Sequence, residues 1–230
     1  MSNIVLPKEV LYTEKNKNEG IIEIVGCYPG YGTTLGNALR RVLLSSLGGS
    51  AITSVKINGV SHEYTTVDGV LEDVVQIVLN LKRINIKSYS EEPVKLKLKK
   101  NGEGDVVIGD AEADPQIEIV DPKQKIATIT DKDTELDMEF TVQNGIGYVA
   151  IENQDRGDDI ELGSIAIDAV YTPIRRVNFE VENMRVGKRT DYEKVRLTIV
   201  TDGTITPEEA FYEAVDILSD QFNSLKKKSN

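Results

Sequence analysis

The sequence predicts an α+β protein dominated by antiparallel strands. Three observations lead there. Apolar and polar residues alternate along most of the chain, turn-forming clusters recur between the alternating runs, and the apolar period lengthens from 2 to 3.6 in only three segments. With 230 residues, 40% hydrophobic and 28% charged, the chain can bury one full core or two modest ones without disulfides or metals.

The first 3.6-period segment spans residues 34–47. Leu35, Ala38, Leu39, Val42, Leu43 and Leu47 form its apolar stripe, Thr33 or Thr34 is available as N-cap, and Gly48-Gly49 is expected to end it. Asn37, Arg40, Arg41 and Leu44 lie on the opposite face, with Gly36 nearby. Two adjacent arginines there are either a solvated basic rim or fork-shaped donors for carboxylates across an interface. A second helix is expected over 67–81, on Val67, Val70, Leu71, Val74, Val75, Val78 and Leu81. Half-buried strands are expected where Val94, Leu96 and Leu98 oppose Lys95, Lys97 and Lys99, and where Leu136, Met138, Phe140 and Val142 oppose Glu135, Asp137, Glu139 and Thr141. Val195, Leu197 and Ile199 oppose Lys194, Arg196 and Thr198 in the same way. Turns are expected at Gly48-Gly49, Asn58-Gly59, Asn101-Gly102, Asp114-Pro115, Asp121-Pro122, Asn144-Gly145, Thr172-Pro173 and Asp202-Gly203.

The third helix, over 206–225, has the clearest start. Thr206 is its N-cap, Pro207 occupies the first helical position and Glu209 completes a capping box. Phe211, Val215, Leu218, Phe222 and Leu225 recur at heptad-like spacing, and Tyr212, Ala214 and Ile217 widen the apolar surface beyond that seam. Such a helix must be buried on two flanks, against its own sheet and against another helix. The second helix belongs either to the same chain or to another copy. The polar end, 226–230, is expected to be disordered.

Charge and chemistry narrow the function. The net charge is −11, yet residues 101–171 alone hold 18 acidic and 4 basic side chains, or −14. That segment is an acidic module, either a solvated strand face or a docking surface for a basic partner. The acidic balance argues against free-standing DNA binding. No apolar run reaches the length of a membrane span, and the N-terminus lacks signal-peptide features. A lone cysteine, Cys27, fits a small hydrophobe at a strand end in a reducing compartment, and His62 is the sole histidine. The glycine-rich turn from Gly30 to Gly36 lacks the lysine and spacing of a phosphate loop. Asp105, Asp110, Glu112 and Asp114 do not follow calcium-loop spacing. No stand-alone catalytic set is visible.

The stretch from Gly32 to Ser46, with Gly32-Thr33-Thr34-Leu35-Gly36-Asn37-Ala38-Leu39-Arg40-Arg41 at its centre, resembles the signature of the bacterial RNA polymerase alpha-subunit family, N-terminal region. Gly59-Val60-Ser61-His62-Glu63-Tyr64, Gly69-Val70-Leu71-Glu72-Asp73-Val74, Asn80-Leu81-Lys82 and Gly147-Tyr148-Val149 follow in the family's order. So do the run from Asp168 to Val177, Arg189-Thr190-Asp191-Tyr192-Glu193-Lys194 and the run from Thr201 to Ala210. The turn Cys27-Tyr28-Pro29-Gly30-Tyr31-Gly32 departs from the acidic-basic pair usual in relatives.

The resemblance implies a discontinuous α/β dimerisation domain, an antiparallel sheet plus two helices, formed by residues 1–48 and 172–230. A β-rich domain, 49–171, is inserted in it. It implies a homodimer through Leu35, Leu39, Phe211, Val215, Leu218, Phe222 and Leu225. It further implies a non-catalytic assembly subunit of DNA-directed RNA polymerase, with Asn37, Arg40, Arg41 and Leu44 contacting the beta subunit. Lys82, Ile167, Arg185 and Lys194 would approach beta or beta-prime. No catalytic residue, cofactor or metal is expected in this chain, magnesium belonging to the large subunits. Neither direct DNA binding nor a membrane is expected of this region, and the implied location is the bacterial cytoplasm, on the nucleoid within the polymerase. The alternative is a divergent dimeric scaffold for another partner.

Overall fold

The computed structural model describes residues 4–154 and 163–226. The first elements are β1 (Glu9–Asn16), β2 (Glu19–Cys27), α1 (Tyr31–Ser45), β3 (Gly48–Ile57) and α2 (Val74–Leu81). Next come β4 (Ile86–Ser88), β5 (Val94–Asn101), β6 (Gly104–Val107), β7 (Ile117–Ile119), β8 (Lys125–Ile129), β9 (Glu135–Ile146) and β10 (Tyr148–Val149). The chain continues with β11 (Ser164–Ala166), β12 (Ala169–Val170), β13 (Ile174–Val186), β14 (Arg189–Thr201) and α3 (Pro207–Ser224). Residues 227–230 of the polar end lie outside the described residues.

Contacts divide the chain into two compact units, Met1–Leu47 with Thr172–Asn230, and Gly48–Tyr171. The first is an antiparallel sheet in the order β1-β2-β14-β13. Its register sets Leu197 beside Ile22 and Phe179, and Val195 beside Ile24 and Val181. Because alternate side chains share a face, Ile22, Ile24, Val195, Leu197 and Ile199 together form one apolar surface, and it is covered by α1 and α3. The opposite face carries charge. Glu23 receives Arg196 at 2.9 Å, and Lys194 bridges Glu182 at 3.0 Å and Glu23 at 3.4 Å.

α3 starts with the reciprocal bonds its sequence encodes. The Thr206 hydroxyl accepts from the Glu209 amide at 3.2 Å, and the Glu209 carboxylate accepts from the Thr206 amide at 3.0 Å. Ala210, Phe211 and Ala214 then enter the core, with Ile217 and Leu218 at its margin.

The second unit is built on the sheet β11-β3-β9-β5, with three two-stranded pairs, β10-β12, β4-β7 and β6-β8, around it. Leu136, Met138, Phe140 and Val142 of β9 are fully buried with Val55, Ile77, Leu98 and Ile126. The lysines of the edge strand β5 face carboxylates of β9, Lys99 meeting Glu135 at 2.7 Å and Lys95 meeting Glu139 at 3.3 Å. Lys100 and Lys125 take Asp110 and Asp105 at 2.6 and 2.8 Å. Glu135, Glu139, Asp105 and Asp110 of the acidic segment thus have lysine counter-charges, and a lysine-lined edge resists strand addition.

Three sequence expectations are corrected. The helix expected over 67–81 begins only at Val74, capped by Asp73, whose side chain accepts from the Gln76 amide at 2.7 Å. Residues 67–73 are instead stitched to β8: Leu71 N–H bonds the Thr128 carbonyl, and Glu72 accepts from both the amide and hydroxyl of Thr128. Gly69, at φ 75°, is incompatible with a continuous helix there. Gly48-Gly49 and Asn144-Gly145 are not turns but partners in one ladder, β3 with β9. Asn144 uses its side chain to tie Ser50 and Ser90 to that ladder, and a Cβ at Gly145 would lie 2.5 Å from the Tyr171 ring. Finally, α1 starts three residues earlier than expected, and neither Thr33 nor Thr34 is its cap.

Candidate functional site

α1 has no local side chain to hold its first amides. Its N-cap is Gly30, in the left-handed conformation at φ 84°, and its first turn contains no acidic residue. The Thr34 hydroxyl bonds back to the Gly30 carbonyl instead. The orphan amides are met by Glu193 on β14: its two carboxylate oxygens accept from Gly30 N–H at 2.9 Å and Gly32 N–H at 2.7 Å. A carboxylate in that position also opposes the positive end of the helix dipole. Glu193 reaches it because it shares strand parity with Val195, Leu197 and Ile199 and so points to the helix-bearing face. The register with β2 shifts at this point, Glu193 opposing Cys27 and Lys194 opposing Val25.

Two glycines seat the helix. A Cβ on Gly32 would meet the Glu193 carboxylate at 2.6 Å and Val181 at 3.0 Å, and one on Gly36 would meet the Phe179 ring at 2.5 Å. Four residues apart, they let α1 lie close on β13 and β14, with Leu39 and Leu43 buried on the same stripe. Gly36 therefore belongs to the buried face, not to the Arg40–Arg41 side. Leu35, Ala38 and Val42, expected inward, are half-buried flanks.

The segment entering α1 is braced by an edge-to-face aromatic cluster, Tyr28 meeting Tyr31 and Tyr192 at 6.1 Å each. Arg189 lies 5.5 Å from the Tyr28 ring centroid and 5.1 Å from that of Tyr192, and Asp191 grips its guanidinium at 2.9 and 2.6 Å. The Tyr28 carbonyl accepts from Tyr31 N–H at 2.9 Å. Cys27 is fully buried beside this turn, and burial together with the Glu193 charge pushes its thiol above its ordinary range, the reverse of what a nucleophile needs. His62 is exposed in a loop.

The outward face of α1 presents Asn37, Arg41 and Leu44, all exposed. Arg40 is exposed too, but its Nε donates to the Val177 carbonyl at 3.3 Å and ties α1 to β13, the edge strand. In α3, Val215 is 37%, Phe222 62% and Leu225 77% exposed, while Leu218, like Leu35, is half-buried against the core. Leu39 and Phe211 are corrected: at 4% and 3% exposure they pack inside their own unit and offer no free surface.

The remaining predicted residues scatter. Lys82 pairs with Asp168 at 2.9 Å, which holds that carboxyl below the usual carboxylate range. Ile167, at 1% exposure, belongs to the core of the second unit, so its side chain is not a surface contact. Arg185 is exposed and bonds the Gly187 carbonyl in the β13–β14 turn, and Lys194 is engaged with Glu182 and Glu23. Glu193 is the residue that sequence reasoning missed. The sequence hid it, because Thr33 and Thr34 offered a local hydroxyl cap and Glu193 stands 163 residues beyond Gly30.

Among the described residues no cluster of three or more His, Cys, Asp or Glu is placed to hold a metal, and no helix is long and apolar enough to cross a membrane.

Residues 55–172 match the family model described as the RNA polymerase Rpb3/RpoA insert domain. The chain is similar to the protein named DNA-directed RNA polymerase subunit alpha of Roseiflexus castenholzii, with 47% identity over 95% of this chain and 66% of that protein. It is 52% identical to the like-named protein of Desulfitobacterium hafniense, over 83% of this chain and 60% of the relative. With that of Aquifex aeolicus it shares 40% identity over 98% of this chain and 71% of the relative. The chain thus spans 66% of the length of the first of these relatives.

Proposed function

This chain belongs to the bacterial RNA polymerase alpha-subunit family, and on that premise we propose that it is a non-catalytic assembly subunit. It homodimerises, and the dimer scaffolds the beta and beta-prime subunits of DNA-directed RNA polymerase in the bacterial cytoplasm, nucleoid-associated as part of that enzyme. In this reading Met1–Leu47 with Thr172–Asn230 is the dimerisation domain and Gly48–Tyr171 its insert.

The observation that carries the reading is the uncovered apolar flank of α3. Val215, Phe222 and Leu225 remain exposed after Ala210, Phe211 and Ala214 have filled the core. A second copy's α1 and α3 would cover them, with Leu35 and Leu218 at the margin, burial contributing about 1.5–3 kcal/mol per large side chain before entropy costs. The outward face of α1, Asn37, Arg41 and Leu44 with part of Arg40, is the beta contact. Lys82, Arg185 and Lys194 are outlying large-subunit contacts. The polymer-forming chemistry and its magnesium reside in the large subunits.

Light scattering at micromolar concentration tests the dimer. The expected mass is twice 25.4 kDa. Phe222→Asp should shift the population toward monomer, because a charge would enter the apolar seam. A monomeric wild-type chain would overturn the reading.

A further inference from the structure

We propose that Glu193 is a positioning residue for the partner-capturing face of α1. The inference rests on the assembly role proposed above and assigns to β14 the control of how α1 presents Arg41.

Without that carboxylate the first amides of α1 lose their acceptors. Gly30 offers no side-chain acceptor and the first turn carries no acid, so Gly30 and Gly32 N–H would have only water. The space around Gly32 is matched to the carboxylate, whose Oε2 stands 2.6 Å from where a Cβ would be. Farther along, α1 is held independently: Gly36 sits on Phe179, Leu39 and Leu43 are buried, and Arg40 bonds Val177. Loss of Glu193 therefore frays the first turns and leaves the core and α3 intact. Asn37 and Arg41 lie beyond that start, beside the Gly36–Phe179 and Arg40–Val177 seat, so Glu193 sets the angle at which α1 enters the seat and hence the direction in which they project.

The fold also protects this anchor. Arg189 lies against the Tyr28 and Tyr192 rings, which themselves meet edge to face at 6.1 Å, so the entering segment is tied to β14, where Tyr192 immediately precedes Glu193. Val181 crowds the same spot, 3.0 Å from where a Gly32 Cβ would be.

If the binding-competent orientation becomes a minor population, apparent affinity falls by that fraction. Glu193→Ala should retain the dimer and its melting cooperativity, speed amide exchange at residues 32–35, and weaken capture of purified beta subunit about ten-fold. Glu193→Gln, which keeps the shape and one acceptor, should fall between the two. The decisive variant is Glu193→Ala with Thr33→Glu, which returns an acidic group to the first turn from an exposed position. Restored capture supports positioning. Persisting loss with restored amide protection would make Glu193 a direct contact and overturn the proposal. Equal capture by wild type and Glu193→Ala would also overturn it, while leaving the assembly role standing. Should Glu193→Ala fail to fold, Glu193→Gln carries the test, and full capture by that variant would refute the proposal. Failure of wild type to bind beta would refute the assembly role itself.

Discussion

The two helices on the sheet of the first unit begin in opposite ways. α3 carries its own start, Thr206 and Glu209 exchanging bonds three residues apart. α1 obtains its start from Glu193, 161 residues beyond Gly32 and on a different element. A locally capped helix can form as soon as its own residues are free to do so. A remotely capped one acquires its final geometry only when the sheet beneath it is complete. The surface on α1 is therefore conditional on the fold, while α3 is a more autonomous module whose far end is left uncovered.

The largest effect should come from crowding the seat of α1. Gly36→Val places branched bulk where the Phe179 ring stands 2.5 Å from an ideal Cβ, and should destabilise the first unit by about 2–3 kcal/mol. Denaturant melts measure it. An unchanged midpoint would mean that α1 lifts off the sheet freely, and the remote anchoring would lose its basis. Thr206→Ala removes only a local cap and should cost about 1 kcal/mol, again read as a shift of the melt. It should leave amide exchange at residues 32–35 untouched, which separates the two starts.

The opposite face of the sheet provides a pH test. The Arg196 hydrogen bond, opposed by burial and aided by Lys194, holds the Glu23 carboxyl below its ordinary 4.5. A folded-state value below the unfolded one contributes stability that is complete above the ordinary range and lost as pH falls through the lowered value. Glu23→Gln should therefore flatten part of the acid-unfolding curve below pH 4.5 and leave the neutral plateau with the same shape. An acid limb unchanged in slope would remove this network from the account.

Legibility in the sequence followed the range of the interactions. The alternation of β9 and β14 and the Thr206–Glu209 box are local, and the structure reproduces them. The stripe 67–81 misled because Gly69 and the pairing of Val70 with Ile129 override helical periodicity. Asn144-Gly145 misled because its glycine serves a ring contact, with Tyr171, rather than a turn. In the candidate site, Asn37, Arg41 and Leu44 could be read from the face opposite the stripe. The division of α3 could not: Phe211 and Leu225 share a heptad seam, yet Phe211 packs into the core of the first unit and Leu225 is bare.

The central claim, that an anchored α1 captures the large subunit through Arg41, is tested most directly by titrating purified beta subunit against wild type and Arg41→Ala, with light scattering and circular dichroism on both proteins. Arg41 is exposed, so its removal should shift unfolding by no more than about 0.5 kcal/mol and leave the dimer intact. A guanidinium that becomes buried against partner acceptors leaves them unpaired when it is cut away, costing about 2–5 kcal/mol, or roughly 30-fold to several thousand-fold in affinity. The account predicts a folded, dimeric Arg41→Ala that fails to capture beta at concentrations where wild type saturates. Equal affinity of the two proteins, or a variant that loses its dimer or its fold, would contradict it.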